Sequence, residues 1–512
     1  MAKFQSDDPQ VAQVRQLLQQ ASASGAADAM LRAGAAALRA GTYVDALKPV
    51  RDALRSHPDD PRLWQLLGLL NRNLDDLASS ITAFTTAAEL APKDGMIAQG
   101  HAAVRFEAGL PAADFFERAI RLSPADPKLR LQHAAAQLAE GQGGLAIARL
   151  QEELQRNPHW VEGHSALARV RWMRGEQDAF TDSFEHAVLA LPRDVALWRA
   201  YIETLIHDHL HQRALSVIAR ARSAAGPHES FDAAEAISMT ELGELEAAGQ
   251  LFRKLAPLKG VSLIVHYLRY LLRAGRVKEA ADIAEKSAPR DPSHQIWPYL
   301  SIGWRLLGDA RWEWLECDPR FIGVYDIADR LPPLPALSER LRGLHRASHQ
   351  PLDQSLRGGT QTEGHLFPRI EAEIRMLRQA VVGAVERHVA QLPPPQRGHP
   401  LLVQRRAPIA FAGSWSVRLT GGGRHVEHVH PAGWLSSALY IALPGEQERG
   451  PGDAGWLSLG EVKELGIDLP PIRLIEPKPG RLVLFPSTMW HGTRPFEAGE
   501  RLTVAFDVKR PG

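Results

Sequence analysis

The sequence predicts a multidomain α + β protein, an N-terminal α-solenoid followed by a C-terminal all-β sandwich or jelly roll. Three observations predict it. Proline-centred text recurs about every 34 residues through the first half, the pattern after residue 400 switches to short alternating segments between Gly and Pro turns, and 512 residues are too many for one ordinary core.

Pro58, Pro92, Pro124, Pro158, Pro192 and Pro227 are spaced by 34, 32, 34, 34 and 35 residues. Their surroundings repeat too: His57-Pro58-Asp59-Asp60-Pro61, Ala91-Pro92-Lys93-Asp94, Ser123-Pro124-Ala125-Asp126-Pro127 and Leu191-Pro192-Arg193-Asp194. A Gly or Asn turn is expected ahead of each of the first five prolines, at Gly41, Asn73, Gly109, Gly143 and Gly175. Ala46, Ala53, Ala87, Ala119 and Ala187 supply small residues where helices must approach closely. Each proline restricts the residue before it and so closes one helix, while the following Asp caps the next. With Trp64-x-x-Leu67-Gly68, this text resembles the tetratricopeptide repeat, a helix–turn–helix unit. Extrapolation through Pro257 and Pro292 gives about eight repeats over residues 26–300. In such an array each repeat buries its apolar face against its neighbours, and the concave surface binds a protein or peptide. The plainer alternative is that the array only stabilises or dimerises the C-terminal region.

Residues 301–345 are expected to hold capping helices and a Pro-rich linker. Trp297, Trp304, Trp312 and Trp314 punctuate the last helical stretch, and Leu331-Pro332-Pro333-Leu334-Pro335 is expected to be non-helical. Ile370, Ile374, Leu377, Val381 and Val385 form one amphipathic helical stripe, ended by Pro393-Pro394-Pro395. Within the third region, 346–512, Trp415, Val417 and Leu419 alternate with polar residues, and Gly421-Gly422-Gly423 is expected to turn the chain. Further strands are expected at 425–430, 436–443, 455–459, 481–485 and 501–508. The triple glycine is no phosphate loop, because no Gly-Lys-Ser/Thr follows it.

Bulk properties narrow the function class. Lys and Arg number 60 against 59 Asp and Glu, a net charge of +1, which gives no electrostatic reason for a nucleic-acid or membrane partner. The single cysteine, Cys317, excludes an intramolecular disulfide and any Cys-rich metal site. The first ten residues carry Asp7 and Asp8 and no apolar stretch, and no run approaches the roughly 20 apolar residues of a membrane helix. A cytoplasmic setting is expected.

The chemistry concentrates near the end. His425-Val426-Glu427-His428-Val429-His430-Pro431 places three histidines in a predicted strand. Residues two apart share a face, so His428 and His430 point one way and His425 and Glu427 the other. His491 follows the predicted strand 481–485, and Arg501-Leu502-Thr503 comes ten residues later. Clustered histidines alone read as polar surface; joined to these, they suit a facial metal site with two ligands from one strand, one from another, and an open octahedral face. That face accommodates a 2-oxo acid, through its carboxylate and keto oxygen, and O2. The far carboxylate then needs a planar fork, which Arg501 supplies, with Thr503 adding a hydroxyl. Tyr440 either hydrogen-bonds that cosubstrate or satisfies a backbone group. Gln354, Arg357 and Thr362 lie in a polar, Gly-rich loop suited to substrate or lid contacts, or to a purely structural part. Trp434, like Trp415 and Trp490, reads as core or pocket wall.

The blocks Leu352-x-Gln354-Ser355-x-Arg357-Gly358-Gly359-Thr360-Gln361-Thr362, Ser414-Trp415-Ser416-Val417-Arg418-Leu419 and His428-Val429-His430-Pro431-x-Gly433-Trp434-Leu435-Ser436-Ser437 resemble a family. They are joined by the stretch from Pro479 to Ser487, by Trp490-His491-Gly492-Thr493 and by Arg501-Leu502-Thr503. The family is that of 2-oxoglutarate/Fe(II)-dependent oxygenases fused to tetratricopeptide arrays, in the prolyl-hydroxylase-like superfamily. The resemblance implies a double-stranded β-helix, Fe(II), 2-oxoglutarate and O2, with ascorbate as an accessory reductant. It carries the metal ligands onto His428, His430 and His491, and implies a dioxygenase that hydroxylates a protein or peptide recruited by the repeats. The sequence departs from the superfamily at His430, where a carboxylate is usual. His425 and Glu427 form a rival ligand pair, although the spacing from Pro431 to Tyr440 favours His428 and His430. The alternative function is a repeat adaptor carrying a non-catalytic or cupin-like metal-binding barrel.

Overall fold

The repeat prolines end helices as their chemistry requires. In the computed structural model, which describes residues 9–352 and 354–511, helices close at Ser56, Leu90, Leu122, Arg156, Ala190 and Ala225, each two residues before its proline. Asp60, Asp94, Asp126 and Asp194 then cap the next helix through backbone N–H groups two or three residues on. A second tether recurs six residues after the proline. Trp64 Nε1 donates to Pro58 O at 2.7 Å, Trp198 Nε1 to Pro192 O at 2.9 Å, and Arg130 Nη2 to Pro124 O at 2.7 Å. His164 Nε2 makes the same bond to Pro158 O at 3.0 Å. Ala46, Ala87, Ala119 and Ala187 are buried between helices.

The turns inside the helix pairs correct two expectations. Positive φ falls at Gly41, Asp75, Gly109, Gly141, Gly175, His209, Gly243, Gly275 and Gly308. Asn73 is the last residue of its helix and Gly143 the first of the next, so Asp75 and Gly141 carry the left-handed turns instead. Asp accepts that conformation through its short polar side chain. The turn residues keep the repeat length beyond Pro227, where the proline signal fades. The result is a tetratricopeptide-type α-solenoid.

By internal contacts the chain forms two compact units, Met1–Ala146 with Phe367–Ala372, and Ile147–Leu366 with Glu373–Gly512. In the first, Ile370 lies outside the later helix: it packs with Leu77, Phe84, Val104 and Ala108, and its N–H donates to Ala108 O at 3.3 Å. The predicted helix therefore begins at Ala372 and runs to Gln391, burying Ile374, Leu377, Val381 and Val385.

The second unit carries the strands β1 (Gly323–Asp326), β2 (Leu356–Gln361), β3 (Phe411–His425), β4 (Gly433–Ala442), β5 (Leu457–Leu459), β6 (Arg473–Ile475), β7 (Arg481–Pro486), β8 (His491–Thr493) and β9 (Glu500–Lys509). They form two antiparallel sheets, β1-β7-β4-β9-β3-β2 and β6-β5-β8. Ala438, Tyr440, Val483 and Phe485 of the larger sheet pack with Leu457, Leu459 and Ile475 of the smaller, the core of a jelly-roll sandwich.

Three local expectations are revised. Gly421–Gly423 does not turn the chain; it lies inside β3, where a Cβ on Gly423 would stand 2.6 Å from both Gly358 O and Thr420 O. Glycine there lets β2 and β3 cross at a register shift between Arg357 and Gly359. Leu334-Pro335 opens a helix, Leu334–Arg342, because proline needs no N–H partner in a first turn. Residues 426–430 are not a regular strand: the chain bends at Glu427 and makes one isolated bridge, His428 to His491. No described helix is long and apolar enough to cross a membrane. The reading of the N-terminal residues concerns mainly residues 1–8, outside the described residues.

Candidate metal centre

His428 and His491 exchange backbone hydrogen bonds, N–H to O at 3.0 Å in both directions, and His430 N–H donates to Ser487 O at 2.9 Å. These bonds stitch the segment after β3 to the turn and strand after β7. They bring one ring nitrogen from each of His428, His430 and His491 within 4.8 Å of the others.

The tautomers follow from the partners. His428 Nδ1 lies 2.7 Å from Val426 O and His491 Nδ1 lies 3.0 Å from Met489 O, and a carbonyl only accepts. His430 Nδ1 lies 2.8 Å from the Asp507 carboxylate. All three Nδ1 atoms are thus donors, leaving the Nε2 lone pairs as the ligand atoms on offer. Burial, then the neighbouring imidazoles, holds His428 well below the ordinary histidine pKa, and burial does the same to His491. Neutral imidazole is the form that binds metal.

A second constellation lies on the inner face of the larger sheet. Arg501, Thr503, Ala505 and Asp507 alternate along one side of β9, and Tyr440 stands opposite Thr503. Arg501 is 3% exposed. Its Nη1 donates to Gly455 O at 2.7 Å, its Nε has no partner, and its guanidinium lies 5.0 Å from the Tyr440 ring centre. No acidic side chain pairs with it among the described residues, and burial lowers its pKa. The buried Tyr440 hydroxyl is also unpartnered. An uncompensated buried cation beside an orphaned hydroxyl is costly unless an anion belongs there.

The other sequence candidates scatter around this core. His425 is half-buried, its ring stacked 5.7 Å from that of His428, and burial with the charge of Arg501 holds its pKa at about 3. Glu427 lines a cavity, its carboxyl pushed up by burial and by Glu464 and Glu461. His425 and Glu427 join no metal-competent group among the described residues. Arg357 turns back onto Gln354 O and Leu356 O, at 2.7 and 2.8 Å. Thr362 accepts Ser416 N–H at 3.0 Å. Trp434 is buried and donates to Leu401 O at 2.8 Å, a core position. Gln354 lines both cavities beside the histidines, one of about 620 Å³ and one of about 630 Å³.

Two residues escape the sequence reading. Asp507 also accepts from Ser436 Oγ at 2.6 Å, and the alternation from Arg501 through Thr503 was the signal that could have found it. Ser355 Oγ lies 3.1 Å from His428 Nε2 and 3.0 Å from His425 Nδ1, a long-range contact; the resemblance includes Ser355 in its first block but nothing local in the sequence places it at the histidines.

Residues 413–507 match a family model described as "Putative 2OG-Fe(II) oxygenase". No curated protein matches the chain. Among solved structures it is similar to a tetratricopeptide repeat protein from Parabacteroides merdae, at 18% identity over 49% of this chain and 94% of that one, with a TM-score of 0.30. It is similar to yeast Tom70 at 13% identity over 61% of this chain and 67% of that one, with a TM-score of 0.35. A thermophilic TPR protein of Thermus thermophilus shares 22% identity over 35% of this chain and 100% of that one, with a TM-score of 0.26. The solenoid assignment rests on the helix pairs themselves.

Proposed function

We propose that this protein is an Fe(II)- and 2-oxoglutarate-dependent dioxygenase that hydroxylates a protein or peptide recruited by its repeats. The observation that carries the reading is the buried, unpaired Arg501 guanidinium beside the orphaned Tyr440 hydroxyl, in the same sandwich as three converging imidazoles. His428, His430 and His491 are the residues that would hold iron, and Arg501, Tyr440 and Thr503 those that would hold the distal carboxylate of 2-oxoglutarate. When bound, Fe(II) and 2-oxoglutarate split O2 between a substrate C–H bond, which becomes an alcohol, and the oxo acid, which leaves as succinate and CO2.

The chain's own residues prepare that chemistry. Val426 O, Met489 O and Asp507 fix the ring orientations and keep each Nε2 deprotonated. Through the imidazole of His430, Asp507 would supply part of the negative charge that a carboxylate ligand would have brought to a bound metal. Phe485, whose ring centre lies 4.7 Å from that of His491, excludes water from one side. The repeats occupy residues 26–300 in this reading and the oxygenase domain 346–512; the capping segment between them, 301–345, also lends β1 to the larger sheet.

Three imidazoles also suit a cupin-like metal enzyme that does not use 2-oxoglutarate, and that observation keeps the second reading in view. Anaerobic titration separates the two. The iron-loaded protein should develop a visible absorption band on adding 2-oxoglutarate, and Arg501→Ala should weaken it. A band unaffected by Arg501→Ala supports the cupin-like reading, and no band at all sinks the first. Iron content decides the ligands: His430→Ala should lose stoichiometric iron, and Glu427→Ala should keep it.

A further inference from the structure

The two cavities beside the histidines adjoin, sharing His430 and Gln354 among their lining residues. One is walled by alternate helices of the repeat array, Val195–His207, Glu229–Leu242 and Val261–Arg273. Each presents one face at helical spacing, Arg199, Glu203 and Ile206 on the first, Ser230, Ala234, Ile237 and Glu241 on the second, and Ser262, His266 and Arg269 on the third. Opposite them lie Glu427, His428 and Glu464. The other cavity carries the path past His430 to Trp415 and Glu363. Together they offer far more space than a five-carbon diacid fills.

Polar groups on the repeat side await a partner. His211 is 7% exposed, lines the cavity, and has no hydrogen bond at either ring nitrogen. Burial holds its pKa at about 4, so the ring is neutral at pH 7, with one N–H to donate and one lone pair to accept. That is the complement of an amide. The charged side chains lining the whole cavity are two arginines against four glutamates, Glu203 and Glu241 on the repeat side and Glu427 and Glu464 opposite. Arg199 pairs with Glu203, and Glu241 is shared by Arg269 and by Arg273 just behind the wall, which leaves Glu427 and Glu464 as the carboxyl groups of this cavity without an ion pair, with Lys463 near the first and the two arginines bonded to the backbone of the second. In the other cavity Arg169 is spent on Glu363 at 3.3 Å, and Asp507 adds a further carboxylate. Such a wall repels a phosphodiester backbone and suits a cationic chain.

We infer that the joined cavities form a through-groove for an extended polypeptide, whose main-chain amide meets His211 and whose Lys or Arg side chain lies beside Glu464, next to the residue presented at His430. The inference rests on the dioxygenase reading for what happens there, but not for the binding itself.

Full-length protein without metal would be titrated against fluorescein-labelled peptide pools of Ala/Leu/Lys, Ala/Leu/Glu and Ala/Leu/Ser composition, and against labelled single-stranded DNA, by anisotropy. The Lys pool should bind about tenfold more tightly than the Glu pool, and Glu464→Gln and His211→Phe should each weaken it about fivefold. Circular dichroism melts identify a variant that fails to fold. Should His211→Phe do so, the surface substitution Glu464→Gln carries the test. Equal binding of all pools, no binding of any, tighter binding of DNA, or an unchanged affinity in well-folded variants would each overturn the inference. Succinate formation in the same preparations keeps the two readings separate. Turnover without selective peptide binding defeats the groove alone, and selective binding without turnover defeats the oxidation alone.

Discussion

Replacing Arg501 with methionine should move two quantities in opposite directions. Without cosubstrate the guanidinium is a buried cation with one hydrogen bond at Nη1, none at Nε, and the Tyr440 ring as its only other electrostatic support. A thioether of similar length removes that desolvation cost, so the metal-free protein should gain about 1–3 kcal/mol in stability. With 2-oxoglutarate the same change deletes a two-pronged charge-assisted contact, at about 1.5–3 kcal/mol per hydrogen bond. A loss of about 3 kcal/mol corresponds to roughly 150-fold in Kd. The assay is urea unfolding with and without saturating 2-oxoglutarate, alongside calorimetric titration of the Mn(II)-loaded protein. Wild type should be stabilised by the ligand, and Arg501→Met should be more stable alone yet respond little. If Arg501→Met destabilises the free protein by several kcal/mol and binds 2-oxoglutarate as wild type does, Arg501 is a structural cation and the reasoning fails.

Asp507→Asn should keep the fold but lower metal affinity about 10–100-fold, read by competition with a chelating dye, since it removes the charge that orients His430. His399 gives a pH test. Its Nδ1 accepts from Leu401 N–H at 3.0 Å and burial holds its pKa at about 4, below the ordinary value of 6.5. The unfolded chain therefore binds the extra proton between those values, so stability is full above about pH 6.5 and falls as pH drops towards 4, by at most about 3 kcal/mol from this residue. Urea midpoints across that window should show a shallower slope in His399→Gln, and an unchanged slope would remove His399 from the account. Gly423→Ala should cost about 1–3 kcal/mol, because both atoms facing the new methyl are backbone oxygens, and thermal melts would read it.

What could be read from the sequence was what local chemistry decides. The proline spacing, the Asp caps and the strand alternation around Trp415 and in β9 depend on near neighbours, and the structure keeps them. Asp75 and His209 were missed because they adopt turn geometry usually left to glycine, and Leu334-Pro335 because proline breaks a helix inside but suits its first turn. Gly421–Gly423 looked like a turn until β2 supplied the backbone that it must let pass. At the site, His428, His430, His491 and Arg501 stood out by residue type and spacing. Ser355 and the repeat-side wall with His211 did not, since only the tertiary fold brings residues so distant in sequence to the same cavity.

The central claim is that three histidines and Arg501 serve a 2-oxoglutarate-consuming iron centre. Its most direct test is succinate released from labelled 2-oxoglutarate by the full-length protein, loaded anaerobically with Fe(II) and then exposed to O2. Succinate should form slowly even without a substrate, be abolished in His491→Ala and be reduced at limiting 2-oxoglutarate in Arg501→Met. Stoichiometric iron with no succinate, or succinate formation indifferent to both substitutions, would contradict the claim.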